Sequence, residues 1–193
     1  MAGAVGETRL DPGIETCLLM GALGAASGDR VSLLAADRAV RARVAGASQA
    51  QTVLSTFANA LSHVEPTLVE ADWPLIAAQA RGLCSQRSLV VLVTGLDPAV
   101  YAEGLGLVLP ALAHDHRVVI AHVTNPDESR REGDVATAGD VYTAAATTRL
   151  RLATDTLAAR VERMGVRIVR ADPQRLAPAV CDAYLALKAA GQL

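Results

Sequence analysis

The eleven residues from Ser88 to Pro98, SLVVLVTGLDP, constrain this chain more than any other stretch. Leu89 to Val93 is an unbroken run of β-formers, closed by the turn residues Thr94, Gly95, Asp97 and Pro98. A short continuous apolar run bounded by turn signals reads as a strand buried on both faces. Such strands belong to parallel sheets covered by helices. In an open α/β sheet, ligands sit beyond the carboxyl ends of the strands. The turn Thr94–Asp97 is therefore the first place to look for chemistry.

The rest of the chain can support such a sheet. It has 193 residues, 51% of them apolar, enough for one domain with a sizeable core. A net charge of −2 gives no general attraction to nucleic acid or to an acidic membrane. Nearly all the basic charge is arginine; Lys188 is the only lysine, which reads as composition bias. Cys17, Cys84 and Cys181 are odd in number, far apart and flanked by apolar residues. That suits a reducing compartment, with neither a disulfide framework nor a zinc site. No apolar run approaches the roughly 18 residues that span a bilayer, and no signal peptide precedes the first helix. The expected location is cytoplasmic.

Taken in order, Asp11-Pro12 opens a helix that Gly28 ends. Val31–Ala36 reads as a strand, and Val40–Val44 alternates apolar and arginine, the pattern of an exposed edge strand. Gln49–His63 is helical, with Val53, Leu54, Phe57 and Leu61 on one side. After a loop, Asp72 caps a second helix through Leu83. The central strand 89–93 follows, then a helix over 99–113 and a strand over 117–123. Residues 127–139 are polar and loop-like. A long helix runs from about Val141 to Met164, with Leu150, Ala153, Leu157, Val161 and Met164 sharing a face. Val166–Ala171 is a short strand, and a last helix runs to Ala190. This alternation predicts an α/β fold: a doubly wound, mostly parallel sheet with helices on both faces, forming a single domain over 1–193.

Each chemical candidate has a structural explanation beside it. Asp97 follows the central strand, where catalytic and metal-binding aspartates often lie. Asp-Pro also opens helices at 11–12 and 172–173, and the same capping role explains Asp97. Thr94 and Gly95 can face a ligand, or Gly95 can serve only a tight turn. There is no glycine-rich nucleotide motif. His63, His114, His116 and His122 lack metal spacing. His114 and His116 read as solvated, and His122 as a packed polar residue inside a strand. Cys84, before Ser85-Gln86-Arg87, is the least implausible nucleophile, but no base is placed beside it. Glu65, Glu70 and Asp72 form an acidic loop that could offer oxygen ligands, although solvated loop acids are commoner. Trp73, the only tryptophan, is a core anchor first and a contact residue second.

Several stretches together resemble one family. They are Gly28-Asp-Arg-Val-Ser-Leu-Leu34, Val69-Glu-Ala-Asp-Trp73, Arg87–Thr94 with Leu96-Asp-Pro98, Asp140-Val-Tyr-Thr-Ala-Ala145, and Tyr184-Leu-Ala-Leu-Lys-Ala-Ala-Gly191. In this order, and with Gly165-Val-Arg-Ile-Val169 before the last helix, they look like the carboxyl-terminal part of the domain-of-unknown-function 58 proteins. Those proteins carry a von Willebrand factor type A-like domain. The resemblance covers essentially the whole chain.

It implies a non-catalytic protein-interaction domain, an adaptor encoded beside a MoxR-type AAA+ ATPase. Full-length relatives carry transmembrane helices upstream, so the chain would be the cytoplasmic part of a longer protein. It also implies a metal site, held by Asp-x-Ser-x-Ser after the first strand, a threonine loop and an aspartate after the fourth strand. This chain departs at all three places. It starts after the first strand, the threonine loop corresponds to Glu70-Ala71-Asp72, and Gly95 stands where the aspartate belongs. No metal and no cofactor is therefore expected.

The expected binding surface is Glu70, Asp72, Trp73, Thr94, Gly95 and Asp97, within loops 67–73, 94–98 and 124–134. The natural polypeptide is expected to extend upstream of Met1. Without the family's first strand, the strands at 31–36 and 89–93 must either face each other unpaired or close up and pair directly. The rival function is a hydrolase-like enzyme using Thr94, Asp97 or Cys84.

Overall fold

The computed structural model describes residues 10–67, 69–96, 98–124 and 138–193. The element order is α1 (Leu10–Ala26), β1 (Val31–Ala36), β2 (Val40–Ala47), α2 (Ala50–Leu61), α3 (Trp73–Leu83) and β3 (Leu89–Val93). There follow α4 (Pro98–Val100), a π-helical stretch Tyr101–Leu105, α5 (Gly106–Asp115), β4 (Arg117–Val123), α6 (Ala138–Glu162), β5 (Arg167–Ala171) and α7 (Leu176–Ala189).

The fold is mixed α/β. β3, β4 and β5 form a parallel sheet in the order β3-β4-β5. β1 and β2 form a separate antiparallel pair. A single mostly parallel sheet was expected, but among the described residues no ladder joins β1 to β3. The alternation in β2 works as its sequence suggests: Ala42 is buried while Arg41 and Arg43 are exposed.

Side chains of the parallel sheet alternate between two layers, as the strand period of two requires. Val90, Leu92, Val118, Ile120 and Ile168 pack with Trp73, Ala77, Leu96, Leu109, Leu157 and Val161. Val91, Val93, Ala121, Val123 and Val169 pack with Met20, Leu176 and Val180. Helices thus cover both faces. A third cluster joins α1 and α2 to the β1–β2 pair through Leu33, Val53, Phe57 and Leu61. Gly21 permits it: a Cβ there would lie 2.6 Å from the Phe57 ring.

Two expectations change. Leu150 and Ala153 were expected to share an apolar face of the long helix with Leu157, Val161 and Met164, yet both are exposed, and burial begins only near Leu157. A helix of 25 residues is about 37 Å long, roughly twice the span of the five-residue β5 that follows it, so its first half overhangs the sheet. His116 was expected to be solvated, but is buried at the junction of α5 and β4. There the chain turns straight from helix into a central strand, which leaves the side chain no route to water.

Candidate functional site

The turns that follow β1 and β3 both meet the start of α3, the first through the Asp72 N–H bond to the Asp37 carbonyl and the second through the core that Leu96 shares with Trp73, and together they form one rim. Asp37, just after β1, organises its first half. Its carboxylate accepts hydrogen bonds from Arg41 Nε (2.9 and 3.1 Å), from the Ala39 N–H (3.0 Å) and from Thr67 Oγ1 (3.0 Å). Its carbonyl accepts the Asp72 N–H at 3.0 Å. The turn after β1 is thereby tied to the loop before α3. The Arg41 guanidinium first, and the Ala39 N–H second, hold the Asp37 carboxyl down at about 2.

Of the expected surface residues, Asp72 caps α3, with its Oδ1 accepting the Leu75 N–H at 2.9 Å. Glu70 is exposed and stands 4.0 Å from Arg38, itself exposed, so the two form a solvated pair of little energetic worth. Trp73 is a core residue, 5% exposed, and offers the rim no side-chain surface. It packs on Gly104, whose φ of 144° no L side chain adopts comfortably and where a Cβ would lie 3.2 Å from the indole.

The second half of the rim follows β3. The Thr94 N–H donates to the Ala121 carbonyl and continues the β3–β4 ladder by one residue. Thr94 and Gly95 are half-buried, and Leu96 is fully buried. The Leu96 N–H donates to His122 Nδ1 at 2.9 Å, so the strand histidine packs against this turn. Asp97 lies outside the described residues, as do Leu68 and residues 125–134 of the third expected loop. The two halves meet below the surface, where Trp73 and Leu96 share one core.

Sequence reasoning missed Asp37, and it read His122 as a packed strand residue without naming the turn it packs against. An Asp directly after an apolar strand, followed by Arg-Ala, is a turn signal that could have marked Asp37. Nothing local could pair His122 with Leu96, 26 residues away.

The cysteines are unpaired. Burial pushes the Cys17 thiol up to about 11, and burial followed by Asp182 raises Cys181. Cys84 ends α3, its N–H bonded to the Ala80 and Arg81 carbonyls. Among the described residues no three of His, Cys, Asp or Glu gather as a metal set, and no helix is long and apolar enough to cross a membrane.

Away from the rim, Asp29 accepts the Tyr184 hydroxyl (2.5 Å) and the Lys188 ammonium (2.9 Å to each oxygen), and Lys188 also reaches the Ser27 carbonyl at 2.9 Å. This cluster ties the turn between α1 and β1 to α7. Burial pushes the Asp29 carboxyl up, but the bonds from Tyr184 and Lys188 outweigh it and hold it below the usual carboxylate value. The same Asp29 contact raises Lys188.

No family model, curated protein or solved structure matches the chain.

Proposed function

We propose that the chain is a protein-binding domain of the von Willebrand factor type A-like kind, related to the domain-of-unknown-function 58 proteins. It acts as an adaptor for a MoxR-type AAA+ ATPase, working from the cytoplasmic side and using no cofactor. The observation that carries this reading is the rim. Two loops from different parts of the chain, 36–40 and 69–73, are held together by Asp37, and they present Arg38 and Glu70 to solvent. Exposed loop side chains braced by a scaffold are the usual material of a recognition surface. The finer fold assignment, a doubly wound sheet lacking its first strand, belongs to the same proposal. It is supported by the helices on both faces and by the separation of β1 from β3.

The test is calorimetric titration of the chain into the MoxR-type ATPase of the same genome. Binding that weakens at least tenfold in the Arg38→Glu, Glu70→Arg double variant is the expected result. Absence of binding overturns the assignment.

One observation favours the hydrolase reading, namely that His122 reaches the 94–96 turn. Its Nδ1 is occupied as an acceptor, so in the neutral ring Nε2 carries the proton. That is a donor's arrangement, not a base's. Ester hydrolysis by the chain that disappears in Thr94→Val would replace the adaptor reading.

A further inference from the structure

We draw no further inference here: the strongest candidate, the apolar groove on the overhanging half of α6 lined by Ala145, Ala146, Arg149, Leu150 and Ala153, carries nothing because no described residue shows what covers it.

Discussion

β3 and β4 are neighbours of nearly the same composition, LVVLV and RVVIAHV, yet one is half-buried throughout and the other is the core of the molecule. Helices cover both faces of each. The difference is lateral: among the described residues β4 has a strand on both sides, and β3 on one. Burial in a sheet therefore depends on side-by-side neighbours as much as on the helical layers above and below. An apolar pentad at an edge still retains water on its backbone and on part of its side chains.

The largest expected effect tests this contrast directly. Ile120→Ala in β4 removes a fully buried side chain from close packing, and should cost about 3 kcal/mol. Leu92→Ala in β3, which faces the same cluster, should cost about half as much, because the site is partly hydrated already. Urea unfolding of both variants checks this. Equal losses would mean that the edge position of β3 does not matter.

The next test concerns α3, which packs on β1 and shares a core with Leu92 of β3. Gly104→Ala puts a side chain at a φ of 144° and against the Trp73 indole, which anchors α3 in the core shared with Leu92. A loss of about 2 kcal/mol is expected by the same measurement. Amide exchange should speed up in α3 more than in β4, if α3 is the weaker of the two. Asp72→Ala removes the α3 cap, for about 1 kcal/mol. The Asp72 N–H bond to Asp37 survives that change, so the tie to the β1–β2 pair should persist.

The smallest effect concerns the tie at the far end of α1. The Asp29 carboxyl sits below its ordinary value, so its stabilising contribution is present above that value and fades as pH falls through the lowered one. Lys188 is shifted up, so its contribution is present below its ordinary value and is lost as pH rises through the raised one. The urea midpoint should fall slightly at both extremes, less than for the lost cap, and Asp29→Asn should flatten the acid side. Because the carboxylate and the ammonium are both partly solvated, added salt should shrink the difference. An unchanged acid limb in Asp29→Asn would show that the β1–β2 pair is held to α7 by packing alone.

Much of the fold was legible in the chain. Most strands and helices fall near where apolar periodicity and Asp or Gly punctuation predict them, because those signals are local; the helix expected over 99–113 is instead divided by the π-helical stretch Tyr101–Leu105, with Gly104 at a φ of 144°. Asp72 was readable as a cap for the same reason: the cap and the amide it satisfies are three residues apart. Trp73 was readable as core, since a lone large aromatic beside a helix start is most stable buried. The Asp37 junction and the Leu96–His122 bond were not readable, since each depends on which strands end on the same rim.

The sequence by itself determined element order and the absence of charge from β1 and β3, but it placed Leu54 and Leu150 on apolar faces that the structure leaves exposed. Tertiary structure alone decided that, among the described residues, β1 pairs with β2 and not with β3, that β3 has a single strand neighbour, and that half of α6 overhangs the sheet. The physical reason is one of range. Periodicity, capping and charge act within a turn or a strand. Lateral pairing is a choice among strands whose backbones offer the same hydrogen bonds, and only the arrangement of helices around them selects which neighbours meet.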